Sequence, residues 1–111
     1  MISKNAIIHP NVRFGENVTI EDYCIIGSPF SGYNGQITII GSNAIIRSHT
    51  VIYAGNIIGD NFSTGNKANI REQNTIGNNV SIGTLTVVEH HVKIVDSVRI
   101  HSLRLFLNIQ K

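Results

Sequence analysis

The chain contains no tryptophan, and aromatic residues make up only 6% of its 111 residues. Hydrophobic residues as a group reach 41%, so the apolar content is mainly aliphatic, with isoleucine prominent. A core this poor in rings favours narrow coils stacked on one another over the bulky interior of a sandwich. The length allows one domain with one continuous core.

Cysteine and long apolar runs are also scarce. Cys24 is the single cysteine, so no disulfide can form within the chain, and we expect a buried structural thiol in reducing surroundings. The sequence has no charged-then-apolar signal segment and no stretch near the length that spans a bilayer. These absences predict a cytoplasmic protein without a membrane partner.

Neither basic nor acidic residues are concentrated in one segment of the chain. Nine Lys and Arg residues and seven Asp and Glu residues give a net charge of +2. They are scattered along the chain, without a basic run, and binding to nucleic acid or to a membrane surface therefore has little support. We expect neither as a partner.

What the sequence does contain is an aliphatic residue at nearly every sixth position. The series is Ile8, Phe14, Ile20, Ile26 and then Ile40, Ile46, Ile52, Ile58, Thr64, Ile70, Ile76, Ile82, Val88, Ile94 and Ile100. This period is neither that of an α-helix nor that of a simple alternating strand. A six-residue repeat is typical of a parallel β-helix. We predict an all-β, single-stranded, left-handed parallel β-helix of about five coils over residues 1–102.

Two segments depart from the period. Eight extra residues separate Ile26 from Ile40, and the region 27–39, rich in Gly, Ser, Pro and Asn, is predicted to protrude as a loop. The period is predicted to stop after Ile100, which leaves residues 103–111 as a non-repeat tail.

Three hexads form one triangular turn in such a fold, so residues eighteen apart should stack and the corners should form three columns. Column one contains Gly41-Ser42-Asn43, Gly59-Asp60-Asn61, Gly77-Asn78-Asn79 and Val95-Asp96-Ser97. Column two contains Arg47-Ser48-His49, Gly65-Asn66-Lys67, Gly83-Thr84-Leu85 and His101-Ser102-Leu103. Column three contains Tyr53-Ala54-Gly55, Arg71-Glu72-Gln73 and Glu89-His90-His91.

The columns differ in composition. Glycine and asparagine tolerate left-handed backbone angles, so column one is interpreted as turn chemistry. Column three concentrates titratable side chains, and the 27–39 loop is predicted to leave the solenoid from the same column. Any face that carries chemistry is therefore predicted to be column three.

The strongest candidate for chemistry is Glu89-His90-His91. A neutral imidazole can take a proton from an amine or hydroxyl near neutral pH, and an adjacent carboxylate can fix its tautomer. The alternative is that both histidines are solvated corner residues. Arg71 can bind phosphate or carboxylate, or form a surface salt bridge with Glu89. Inward-facing Asn56 and Asn74 predict a structural asparagine ladder.

The repeats resemble those of the hexapeptide-repeat acyltransferases. The resemblance covers residues 8–100 and is carried by Ile58-Gly59-Asp60-Asn61, Ile76-Gly77-Asn78-Asn79-Val80-Ser81-Ile82-Gly83 and Gly41-Ser42-Asn43-Ala44-Ile45-Ile46. Within that superfamily the chain is most similar to acetyltransferases of nucleotide-linked sugars and surface polysaccharides. Such members act as trimers, hold acetyl-CoA between neighbouring solenoids, and in several cases use a histidine within a Glu/Asp-His-Asp-like tripeptide as general base.

The resemblance implies that His90 is the base, with His91 where an acid is common. The proton-orienting role then falls to Glu89 or to a neighbouring subunit. Members of the superfamily usually continue for several more coils, so this chain resembles a C-terminally shortened one. A frameshift in the gene is one hypothesis for the tail.

We therefore predict a homotrimeric acetyltransferase that moves an acetyl group from acetyl-CoA to an amine or hydroxyl of a sugar or nucleotide-linked sugar. The predicted catalytic residues are His90 and Glu89. The predicted substrate-binding residues are Arg71, His91, Tyr53, Glu72 and Tyr33. No metal is expected. Two alternatives are a truncated, catalytically silent β-helix scaffold and a zinc-dependent, carbonic-anhydrase-like enzyme on the same fold.

Overall fold

The structure, a computed structural model, describes residues 1–106 and contains sixteen short strands and no helix in that range. The strands are β1 (Ile7–Ile8), β2 (Val12–Phe14), β3 (Thr19–Ile20), β4 (Ile25–Ser28), β5 (Thr38–Ile40), β6 (Ile45–Ile46), β7 (Val51–Tyr53), β8 (Ile57–Ile58), β9 (Ser63–Thr64), β10 (Asn69–Ile70), β11 (Thr75–Ile76), β12 (Ser81–Ile82), β13 (Val87–Val88), β14 (Lys93–Ile94), β15 (Arg99–Ile100) and β16 (Leu105–Phe106).

The strands form three parallel sheets, each made from every third strand. The orders are β1-β4-β7-β10-β13-β16, β2-β5-β8-β11-β14 and β3-β6-β9-β12-β15, named below the β1, β2 and β3 sheets. Paired residues such as Ile70 and Val88 are eighteen apart, as three hexads per turn require. The predicted left-handed parallel β-helix of about five coils is confirmed.

The core is a central column of the aliphatic residues that define the repeat. Ile20, Ile26, Ile40, Ile46, Ile52 and Ile70 are completely buried, and Phe62 fills the interior beside them. Burying one such side chain stabilises the fold by roughly 1.5–3 kcal/mol. No hexad can bury its face alone, so the stability comes from the stack.

Cys24 belongs to the same interior. Its side chain is fully buried, and its thiol donates to the carbonyl oxygen of Arg47 at 3.1 Å. Desolvation by burial raises the pKa of the Cys24 thiol. The predicted buried position of this cysteine is confirmed.

The corners show where the left-handed backbone angles lie. The third corner residue has a φ of 57–65° at Asn11, Asn17, Tyr23, Asn43, His49, Asn61, Lys67, Gln73, Asn79, Leu85, His91, Ser97 and Leu103. The prediction of left-handed angles is right for Asn43, Asn61 and Asn79 of column one. It is wrong for glycines such as Gly59, which occupies the first corner position without a positive φ. Glycine is needed there because a Cβ on Gly59 would lie 2.9 Å from the carbonyl oxygen of Gly77 in the next coil.

The repeat continues past the boundary predicted at residue 102. In β16, Leu105 pairs with Val87 and Phe106 with Val88, in the register of the earlier coils. Phe106 stands six residues after Ile100, so the hexad phase continues into the segment interpreted as a non-repeat tail. The rest of that tail, residues 107–111, lies outside the described residues.

Candidate functional site

Column three is the corner between the β1 sheet and the β2 sheet. It includes the predicted triplet that begins with the last residue of β7, the triplets that follow β10 and β13, and also His9-Pro10-Asn11 between β1 and β2. The 27–39 insertion spans the end of β4 and the beginning of β5, so it leaves the solenoid at this same corner, as predicted. The normal register resumes at once, since Ile39 pairs with Ile57. Column three thus carries the loop at coil two and the histidines at coil five.

His90 and His91 contact each other at the exposed corner of coil five. Their Nδ1 atoms lie 2.7 Å apart, and the two rings are nearly perpendicular, at 87°. A hydrogen bond between two ring nitrogens requires one to carry the proton and the other to accept it. The neutral pair therefore presents one Nε2 with a free lone pair and one Nε2 with a proton, which is an arrangement for accepting and donating protons.

Glu89 begins the same corner and is half-buried. Among the described residues, no hydrogen bond joins its carboxylate to either imidazole. The group that faces the His90 Nδ1 atom is the ring of His91. The orienting role of Glu89 stays a prediction.

Arg71 lies one coil below the histidines and is held by two neighbours. Its Nε lies 3.1 Å from Oε1 of Glu72, and its Cζ is 5.0 Å from the centre of the Tyr53 ring. A guanidinium over an aromatic face at this distance makes a cation–π contact. The surface salt bridge considered for Arg71 is formed with Glu72 and not with Glu89. Of the predicted site residues, Arg71 therefore contacts both Tyr53 and Glu72.

Buried asparagines support this corner from inside. The Nδ2 of Asn56 donates to the carbonyl oxygens of Tyr53 and Arg71, both at 2.7 Å. The Nδ2 of Asn74 donates to the Arg71 carbonyl at 2.9 Å, and its Oδ1 accepts from the backbone N–H of Val92 at 2.7 Å. The predicted asparagine ladder therefore binds the corner backbone, a role not evident from the sequence.

Tyr33 lies away from the histidines. Its ring makes an edge contact with Phe30, at 5.8 Å between centroids, and its hydroxyl lies 3.5 Å from Nδ2 of Asn11 in the first coil. Neighbouring coils are about 4.8 Å apart, so roughly 14 Å along the axis separates the loop from the corner of coil five. The structure brings the rings of His90 and His91 into contact one coil above Arg71, and Tyr33 stands apart.

Two surface cavities lie outside column three. One of about 650 Å³ is at the N-terminal end, next to Met1, Glu21 and Ser48. The other, of about 300 Å³, lies over the outer face of the β3 sheet and is lined by residues that include Ser81 and Arg99. This second groove is not predicted from the sequence, although two of its small residues, Ser63 and Ser81, stand eighteen residues apart on the outward face of the sheet.

Residues 1–106 contain neither a cluster of metal ligands nor a membrane-spanning helix. Within that range no group of three or more His, Cys, Asp or Glu side chains is placed to hold a metal ion. The pair His90 and His91 therefore supplies only two of the ligands that a zinc site needs. The described part of the chain has no helix of the length and apolarity needed to cross a membrane.

The beginning of the chain matches the model of a known protein family. The family model described as bacterial transferase hexapeptide (six repeats) matches residues 1–29. This match supports the hexapeptide-repeat superfamily and, in general terms, an acyltransferase activity. It ends before Tyr53 and Arg71, so it does not bear on the site residues. No curated protein sequence matches the chain.

Proposed function

We propose that the protein transfers an acetyl group from acetyl-CoA to an amine or hydroxyl of a sugar, and that the sugar is nucleotide-linked. The observation that carries the proposal is the exposed His90–His91 pair, with its Nδ1 atoms 2.7 Å apart, at the corner of a hexapeptide solenoid. A neutral imidazole is a general base suited to neutral pH. The match of residues 1–29 to a transferase family supports the reaction class.

In the proposed mechanism, Nε2 of His90 takes the proton of the acceptor as the acceptor attacks the thioester carbonyl carbon. The new C–O or C–N bond forms, the C–S bond breaks, and the proton passes from His90 to the leaving sulfur. No covalent acyl-enzyme is formed. Holding both substrates in place supplies much of the expected rate gain.

Arg71 is the proposed anchor for the acceptor. Its Nε is engaged by Glu72, and within residues 1–106 its terminal guanidinium nitrogens have no hydrogen-bonded protein partner. A guanidinium so held can bind a phosphate or carboxylate oxygen. The distance along column three from His90 to Tyr33 favours a long acceptor, such as a nucleotide-linked sugar, over a small one.

We propose that the active form is a homotrimer that works in the cytoplasm. Outward-facing apolar side chains on all three sheets remain exposed in one solenoid, as at Ile7, Ile39, Ile45, Ile57 and Leu105. Lateral packing of three solenoids would cover part of this surface. A buried, unpaired cysteine is compatible with a reducing compartment.

Calorimetric titration of the 111-residue protein with acetyl-CoA tests the proposal, with the molar mass measured by light scattering on the same sample. Saturable binding by a trimer, followed by thiol release when nucleotide-linked amino sugars are added, is the expected result. A folded protein that neither binds acetyl-CoA nor releases thiol would favour a silent scaffold. Metal analysis of the same sample tests the zinc-dependent alternative.

A further inference from the structure

We infer that His91 is a positioning residue that holds His90 in the Nδ1–H tautomer and so leaves the Nε2 lone pair of His90 free. This inference rests on the proposed role of His90 as general base. The observation behind it is the Nδ1–Nδ1 contact of 2.7 Å between the two rings. In this role His91 acts through His90, in place of the substrate contact predicted for it from the sequence.

The contact matters because both rings are exposed. An isolated surface imidazole can carry its proton on either ring nitrogen, and only the Nδ1–H form leaves Nε2 able to accept a proton. Donation from His90 Nδ1–H to the lone pair of His91 Nδ1 favours that form. It also restrains ring rotation, and the perpendicular arrangement, 87°, directs the Nδ1 edge of one ring at the other.

His91 is anchored well enough to serve as the fixed partner. Its backbone takes the left-handed angle common to the third corner position, with a φ of 58°. Its N–H donates to the Glu72 carbonyl at 3.3 Å, and the next N–H, of buried Val92, donates to Asn74 at 2.7 Å. Both sides of the residue are thus tied to the coil below, and its side chain starts from a defined place.

The proton count is consistent with this arrangement. When His90 Nε2 takes the proton of the acceptor, His90 becomes an imidazolium and keeps its Nδ1–H bond to neutral His91. The positive charge then faces an acceptor atom, which stabilises it. When Nε2–H passes to the leaving sulfur, the pair returns to its starting state, so His91 gains and loses no proton in the cycle.

Two substitutions at position 91 separate the hydrogen bond from the shape of the side chain. His91→Leu removes the acceptor, and the fold already holds leucine at this corner position, at Leu85 and Leu103 with φ of 60° and 59°. His91→Asn keeps an acceptor, because its amide oxygen stands as many bonds from Cα as Nδ1 does. Asparagine also favours the left-handed angle.

The direct readout is the imidazole ¹⁵N spectrum of histidine-labelled protein at about pH 8, where an ordinary imidazole is neutral. The expected spectrum of the wild type shows His90 protonated on Nδ1. In His91→Leu the His90 signals should move towards a mixture of tautomers, and in His91→Asn they should stay near the wild type. A wild-type His90 protonated on Nε2, or signals indifferent to His91→Leu, would overturn the inference.

The kinetic readout is thiol release from acetyl-CoA in the presence of a nucleotide-linked amino sugar. His91→Leu should lower kcat about tenfold or more at nearly constant KM, and less than removal of the base itself would. His91→Asn should recover most of that loss. A wild type without turnover would defeat the proposed function, and the ¹⁵N spectrum would still decide whether His91 sets the tautomer of His90. Wild-type kcat in His91→Leu would reject the positioning role.

Discussion

Columns one and three are corners of the same solenoid, yet their polar groups are used in different ways. In column one the side chain of the middle residue accepts the backbone N–H of the coil before it, as Asp60 does from Ser42 and Asn78 from Asp60, both at 2.8 Å. In column three the polar support comes from inside, through Asn56 and Asn74. Because buried side chains make the hydrogen bonds to the corner backbone in column three, the outward-facing side chains of this column can make other contacts.

The two columns also differ in the residue types at the first corner position. In column one this position is Gly41, Gly59 and Gly77 in successive coils, because the next coil approaches too closely for a Cβ, and only the last triplet of the column begins with another residue, Val95. Column three has Tyr53, Arg71 and Glu89 at the equivalent position. A corner that accepts large side chains at this position can hold reactive groups in a vertical row, and a glycine-lined corner cannot.

The largest effect should follow from removing the proposed base in column three. We expect His90→Ala to lower turnover by about two to four decades, because a general base contributes roughly that much to the rate. Thiol release from acetyl-CoA measures it. The free energy of unfolding should change by less than about 0.5 kcal/mol, since the side chain is exposed.

The matched control for His90→Ala is His49→Ala. His49 is an exposed corner histidine of column two whose ring packs on Tyr23, at 5.2 Å between centroids. This variant should retain wild-type turnover. Wild-type turnover in His90→Ala as well would move the base elsewhere and would remove the chemical distinction between the columns.

The next largest effect concerns the inner support. Asn74→Ala should destabilise the fold by about 2–3 kcal/mol, because the buried N–H of Val92 loses its acceptor. Asn78→Ala in column one should cost about 1 kcal/mol or less, because water can replace its bond to the exposed N–H of Asp60. Urea unfolding of both variants gives the two values. Equal losses would mean that the inward and outward supports do not differ energetically.

A smaller effect is expected from adding a methyl group at the glycine position. Gly59→Ala should cost about 1–3 kcal/mol, since its Cβ would overlap the backbone of Gly77 in the coil above. Arg71→Ala, at the same corner position in column three, should change stability by less than about 1 kcal/mol. Thermal unfolding compares the pair. If Gly59→Ala is tolerated as well as Arg71→Ala, close approach is not the reason for glycine in column one.

The smallest effect is a pH dependence at the interior of column two. The pKa of Cys24 is raised by burial, so the unfolded chain ionises first as pH rises above the ordinary thiol value of 9.0. Its contribution to stability is therefore full below that pH and is lost above it. Urea unfolding of the wild type and Cys24→Ala between pH 7 and 10 should show a steeper decline in the wild type. Identical slopes would contradict the expectation.

The sequence was sufficient to predict the register of the solenoid and the corner from which the loop leaves. One aliphatic residue in six marks the inward phase, and that phase resumes at Ile40 after the insertion. The sequence does not identify Phe106 as part of the repeat because the corner before it, His101-Ser102-Leu103, contains neither glycine nor asparagine. The fold can be predicted from the residue types within each hexad, because each coil repeats the one before it.

The site was less predictable. The sequence placed Tyr53, Arg71 and Glu89 in one column, but it offered Glu89 as the salt-bridge partner of Arg71, whereas the structure pairs Arg71 with Glu72. The contact between His90 and His91 depends on the rotamers of two exposed rings, which no periodicity encodes. Glycine is needed at position 59 because the backbone of the next coil lies close to it, and a distance between coils cannot be read from the sequence. The sequence instead suggests a local preference for a left-handed φ, which Gly59 does not have.

The 27–39 insertion shows how little a length change at a corner disturbs the stack. Because Thr38 pairs with Val12 and Ile39 with Ile57, the eight extra residues are absorbed before the next strand begins. Doubling the length of such a loop costs only about 0.6 kcal/mol of closure entropy, whereas one residue added within a strand would turn its inward set outwards. Column three is therefore a place where new recognition segments can be exchanged between related solenoids while the interior stays the same.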